Sequence, residues 1–115
     1  MYKFLSFVLI SLNLNAESIE KLDSIQPNGY KYYQLTADSN RTYSLYVSVN
    51  NHADILCYLY DKNYNPILSS ALASPICLFN LPSNKEGRFL FLIKNVSNSP
   101  ANYTIHYSSL KKDNT

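Results

Sequence analysis

The chain has no tryptophan, only two glycines, two cysteines and one methionine, and just 16% of its 115 residues are charged. Each shortage removes a class of function. Without glycine-rich stretches there is no phosphate-cradling loop and no nucleophile elbow. The two histidines, His52 and His106, form no paired zinc motif on a helix. A formal net charge of +2 with scattered basic residues, of which only Lys111 and Lys112 are adjacent, leaves no basic stripe for a nucleic-acid backbone. Beyond the N-terminal region no apolar run is long enough to cross a bilayer.

The N-terminus has its own pattern. Met1-Tyr2-Lys3 carries one positive charge, and the apolar run Phe4 to Leu12 is too short to span a membrane comfortably. This is the shape of a secretory signal peptide, with cleavage after Ala16. Leu14, two residues earlier, is larger than the residue preferred there, and an uncleaved anchor is the alternative. No cysteine follows the run to take a lipid. The expected organisation is a signal peptide at 1–16, an N-terminal arm or short helix at 17–29, a β-sandwich at 30–109 and a flexible tail at 110–115.

The arm rests on Ile19, Leu22 and Ile25, apolar positions three apart, ended by Pro27-Asn28-Gly29. From Tyr30 the period becomes two. Tyr33 and Leu35 alternate with Tyr32 and Gln34. Tyr43, Leu45, Val47 and Val49 alternate with Thr42, Ser44, Tyr46 and Ser48. One long strand runs from Ala53 to Asp61, with Ala53, Ile55, Cys57 and Leu59 inward and Asp54, Leu56, Tyr58 and Tyr60 outward. Ile67-Leu68 and Ile76 to Leu81 are shorter strands. Arg88 to Asn95 is apolar in both phases, which predicts a central strand covered on both faces. Tyr103, Ile105 and Tyr107 close the series. About seven to eight evenly spaced strands with no strong helix predict an all-β, antiparallel sandwich.

Four segments in order give this pattern a likeness. Tyr30 to Leu35, Tyr58 to Asp61 with Pro66-Ile67-Leu68, Gly87 to Ile93, and Asn102 to Tyr107 together resemble the bacterial pre-peptidase C-terminal domain, a jelly-roll-like β-sandwich appended to exported proteins. The resemblance implies a non-catalytic accessory role. Members of that family often carry two acidic residues at alternate positions entering the long strand, and some bind calcium. Asp54 matches the first and Leu56 stands at the second, so the metal is not carried over. Asp54, Asp61, Glu17 and Glu20 form no loop dense enough for the six to eight oxygen ligands of calcium. No cofactor is expected, with calcium the alternative.

Cys57 and Cys77 in an exported chain predict a disulfide, the alternative being two separate buried thiols. Had their strands flanked Ile67-Leu68 in one sheet, the backbones would stand about 9.5 Å apart, too far for a bond. A bridge therefore requires neighbouring strands or strands facing each other across the sandwich.

Tyr32, Tyr46, Leu56, Tyr58 and Tyr60 fall in outward phases, joined by Leu90 and Leu92. Such a surface stacks on sugar rings or packs on a protein partner, whereas the plainer reading is that tyrosine simply favours strands. Ile19, Leu22 and Ile25 are available to cover it; otherwise a partner or a second copy should. His52, Asp54, His106, Ser108 and Ser109 fit no catalytic motif, and no catalytic residue is assigned. Asn40, Asn95 and Asn102 each begin a glycosylation-acceptor triplet, relevant only in a eukaryotic source. The expected function is that of a secreted or periplasmic, non-catalytic module binding carbohydrate or protein through a tyrosine-rich face. The alternative is a structural or assembly subunit of a cell-envelope or extracellular complex, and oligomerisation is compatible with either.

Overall fold

Period-two alternation buries one face of each strand, and two such faces laid together make a core. In a computed structural model, which describes the backbone of residues 9–12 and the whole of residues 18–81 and 86–111, the chain does this in nine strands. They are β1 (Leu9–Leu12), β2 (Ser18–Ile25), β3 (Tyr30–Ala37), β4 (Arg41–Val49), β5 (Ile55–Asp61), β6 (Pro66–Ser69), β7 (Ile76–Asn80), β8 (Gly87–Asn95) and β9 (Ala101–Lys111). One sheet has the order β1-β3-β8-β5-β6 and the other β2-β9-β4-β7. Successive strands cross between the sheets at every connection from β2 to β9 except the β5–β6 hairpin. Strands β2 to β9 thus form two antiparallel four-stranded sheets in jelly-roll order. β1 adds to the first sheet by a parallel pairing with β3.

The inward phases fill the interior as expected. Tyr33, Leu35, Ile55, Cys57, Leu59, Phe91 and Ile93 from one sheet meet Leu45, Val47, Tyr103, Ile105 and Tyr107 from the other, all buried. Hydrogen bonds tie the sheets across this core. The Tyr103 and Tyr33 hydroxyls lie 2.5 Å apart, and the Tyr107 hydroxyl donates to the Thr36 carbonyl at 2.9 Å. The Tyr33 hydroxyl must donate onward to Asp23 Oδ2 at 2.7 Å, because a carboxylate only accepts, so Tyr103 donates to Tyr33. Lys31 Nζ completes the cluster 2.5 Å from Asp23 Oδ1.

Two boundaries differ from expectation. Residues 18–25 are neither arm nor helical turn but a full edge strand, paired with β9 from Ser18↔Ser108 to Ile25↔Ala101. Ile19 and Ile25 stand six apart and turn inward, while Leu22 turns out and is 73% exposed. Leu110 and Lys111 continue β9 against Thr42 and Arg41, so the strand runs past the expected start of a tail; residues 112–115 lie outside the described residues. Within the expected signal peptide, Leu9–Leu12 form β1 and the remainder lies outside the described residues.

Asn95 secures one end of the sandwich. Its buried amide Nδ2 donates to the carbonyls of Ile25 (3.2 Å), Gln26 (3.1 Å) and Ser99 (2.8 Å), and its Oδ1 accepts from the Ser97 amide (3.0 Å) and hydroxyl (2.6 Å). The β2–β3 turn, where Asn28 takes a left-handed conformation (φ 61°), is thereby held to the β8–β9 turn. An amide so committed has no room for a glycan, whereas Asn40 and Asn102 are exposed.

Candidate tyrosine-rich binding face

The outer face of the β3-β8-β5 sheet is a grid set by strand register. One row reads Tyr30, Lys94, Leu56; the next Tyr32, Leu92, Tyr58; the third Gln34, Leu90, Tyr60. β6 continues two rows with Ser69 beside Tyr58 and Pro66 beside Tyr60. Tyrosines therefore stand on both sides of a leucine ridge. Tyr30 and Tyr32 meet edge to face with ring centroids 5.6 Å apart, and Tyr58 and Tyr60 stack at 6.5 Å. Burial, and after it the neighbouring Tyr30, Tyr60 and Tyr64, pushes the Tyr32 hydroxyl above its ordinary range.

β8 is central in its sheet, as its two apolar phases implied, but among the described residues only its inner face is covered by another layer. Leu90 and Leu92 remain half-buried, sheltered by flanking side chains, and the described residues form no third layer over them. Of the two alternatives for shielding this face, cover by Ile19, Leu22 and Ile25 is not the one taken. Ile19 and Ile25 point into the core and Leu22 lies outward on the opposite sheet.

Tyr32, Leu56, Tyr58 and Tyr60 are brought together; Tyr46 is not. It sits on β4 in the other sheet, its ring 5.3 Å from that of His106, in a row running Glu20, His106, Tyr46, Leu78. Phase along a strand distinguishes inward from outward but cannot say which of two outer faces a residue occupies. Two tyrosines of the face carry no assignment from the sequence. Tyr30 shares the phase of Tyr32 and was accessible by the same alternation; it is 59% exposed. Tyr64 belongs to the β5–β6 hairpin and carried no periodic signal. It is 72% exposed at φ 65°, an uncommon conformation for a bulky residue. Asp61 supports that loop, its Oδ1 accepting from the amides of Asn63 (2.8 Å) and Asn65 (2.9 Å).

Cys57 on β5 and Cys77 on β7 are bonded across the sandwich, with Cα atoms 6.3 Å apart. Of the two geometries open to a bridge, the structure has the facing one. His106 Nδ1 lies 3.3 Å from Glu20 Oε2, and buried Ser109 accepts from Arg41 Nη1 at 3.0 Å. His52 and Asp54 are exposed in the β4–β5 connection. Among the described residues no three His, Cys, Asp or Glu side chains cluster as metal ligands, and no helix is long and apolar enough to cross a membrane.

No protein-family model matches the chain, and no curated relative matches it in sequence. Solved structures do share its fold. PliG of Aeromonas hydrophila, a periplasmic inhibitor of g-type lysozyme, is 13% identical with a TM-score of 0.64 over 90% of this chain and 97% of that one. The pre-peptidase C-terminal domain of a Bacillus anthracis collagenase is 13% identical with a TM-score of 0.63, covering 94% of this chain and all of that domain. PliG of Salmonella Typhimurium gives 18% identity and a TM-score of 0.56 over 89% of this chain and 98% of that one. The likeness read from four sequence segments is thus a likeness of fold, shared with inhibitor and accessory proteins.

Proposed function

We propose that this chain is an exported, non-catalytic module that binds a protein partner through the tyrosine-rich outer face of its β3-β8-β5 sheet. The observation that carries the reading is the grid itself: Leu90 and Leu92 at the centre, Tyr32, Tyr58 and Tyr60 around them, and Tyr30, Lys94 and Gln34 at the margin. An apolar centre with amphipathic aromatics and a polar rim is the anatomy of a protein interface. A sugar platform calls for polar groups converging beside the rings, and here they stand at the edge. The disulfide fits an oxidising compartment, secreted or periplasmic. Proteins described as lysozyme inhibitors use the same fold, which makes protein recognition the favoured class over carbohydrate.

An assembly role draws support from the opposite face, where Leu22, Ile76, Leu78 and Leu110 are also exposed. Light scattering distinguishes the two, since an assembly subunit forms a stable oligomer without any added partner.

The test exposes immobilised chain to extracellular and envelope proteins of its source, to g-type lysozyme and to a glycan panel, and follows hits by calorimetry. Tyr58→Ser with Tyr60→Ser should weaken a protein partner at least about tenfold, roughly 1.4 kcal/mol, while Tyr46→Ser on the far face should not. A partner sensitive to Tyr46 alone, or a glycan lost with Tyr58 and Tyr60, overturns the reading.

A further inference from the structure

The outermost strands of a sheet expose unpaired amides and carbonyls, and proteins usually blunt them. Three edges here are blunted. β2 carries Glu20, Lys21 and Asp23 among its eight residues. β6 has four residues, begins at Pro66 and shifts register between Leu59 and Tyr60 of its partner. β7 has five residues and follows Pro75.

β3 has none of these devices. It runs for eight residues without proline or glycine, and its register with β8 is unbroken from Tyr30↔Lys94 to Ala37↔Gly87. Its one charge, Lys31, is drawn to Asp23 on β2 and is not aimed at an incoming strand. What covers this edge is β1, in parallel register: Leu9↔Tyr32, Ile10↔Tyr33, Ser11↔Gln34 and Leu12↔Leu35. Ile10 and Leu12 thus stand at the positions of two core residues, Tyr33 and Leu35. Yet Leu9–Leu12 lies inside the segment that the sequence marks as a signal peptide, and cleavage after Ala16 would take it away.

We propose that the β3 edge is an acceptor for one parallel, apolar β-strand supplied by a protein partner, the place that Leu9–Leu12 fills in the unprocessed chain. Main-chain hydrogen bonds to β3 would supply affinity, and apolar residues in register with Tyr33 and Leu35 would supply selectivity. The edge adjoins Tyr30 and Tyr32, so one partner could engage edge and face together. The inference rests on export of the chain and not on the tyrosine face.

The test uses the full chain carrying Ile10→Pro and Ser11→Pro. Adjacent residues point their amides to opposite sides, so the pair disrupts β1 whichever side faces β3. Backbone amides of β3 should exchange with solvent about tenfold or more faster than in the unaltered chain. A soluble peptide containing Leu-Ile-Ser-Leu between lysines should restore their protection. A spin label at its N-terminal end should broaden resonances near Tyr32, not Leu35. Unchanged β3 exchange, a peptide that restores nothing, or broadening near Leu35 overturns the proposal. So does unfolding of the double variant, which would make β1 a part of the core and not a replaceable occupant. Tyr58→Ser with Tyr60→Ser should leave peptide protection intact, so the edge and the face fail or stand separately.

Discussion

Asn95 offers a sharp test of how this sandwich is closed. It is fully buried, and its side-chain amide serves two turns at once: three carbonyl acceptors on Nδ2 and two donors from Ser97 on Oδ1. Asn95→Ala removes all five bonds, but the partners differ in what they can recover. The Ile25 carbonyl lies on the buried side, where water cannot replace the lost bond, but Ile25 keeps its ladder partner Ala101 on β9, so the loss costs about 1 kcal/mol. Gln26 and Ser99 are exposed and Ser97 half-exposed, so water replaces their lost bonds at roughly 0.5 kcal/mol each. The total is about 3 kcal/mol. With an urea dependence of about 1 kcal/mol per molar for a domain of this size, the unfolding midpoint should fall by roughly 2–3 M. Asn95→Asp is the discriminating variant. It keeps the shape but turns a carboxylate oxygen toward three carbonyls, which raises the folded pKa of the new acid. A raised pKa means that the stability of this variant is present below about pH 4 and lost as pH rises. At neutral pH Asn95→Asp should therefore be less stable than Asn95→Ala, and its deficit against the unaltered chain should shrink near pH 4. A midpoint shift under about 0.5 M for Asn95→Ala, or a deficit for Asn95→Asp that ignores pH, would refute the reasoning.

Other consequences follow from the ties across the core. Replacing Cys57 and Cys77 together by alanine frees a loop spanning 20 residues and should cost about 3 kcal/mol in chemical denaturation. Burial holds the hydroxyls of Tyr33, Tyr103 and Tyr107 well above the ordinary tyrosine value of 10.0, so the unfolded chain releases these protons first. Stability should be intact below pH 10 and fall above it by about 4 kcal/mol at pH 11 for the three groups, with a shallower fall in Tyr107→Phe. At Asp23, burial raises the carboxyl pKa, but hydrogen bonds from Lys31, Tyr33 and the Ser24 amide outweigh it and hold the pKa below 3.8. Its contribution is present above that value and lost as pH falls below it, and Asp23→Asn should flatten this part of an acid denaturation curve.

How far these features can be read in the sequence depends on whether they are local. The interior of β4 was legible because Tyr43, Leu45 and Val47 alternate with polar neighbours, and alternation follows from the pleat of a single strand. β2 was not, because Ile19, Leu22 and Ile25 are spaced three apart. Ile19 and Ile25 share a strand face, but Leu22 between them imitates a helical turn, and only pairing with β9 decides the matter. Tyr46 was misplaced for a related reason. Its outward phase was right, yet its face depended on β4 joining β9 and β7 rather than β8. Asn95 gave no signal beyond a glycosylation triplet, since its partners at Ile25 and Gln26 are remote in sequence.

The sequence by itself determined the all-β class, the inward residue of nearly every strand and the apolar character of the outward rows. These depend on side-chain period and composition, which each segment carries alone. The tertiary structure decided that the bridge crosses the sandwich, that the tyrosines divide between two faces, and that β3 pairs with Leu9–Leu12 at an edge without blunting devices. Those are matters of which strand lies beside which, set by contacts between segments far apart in the chain.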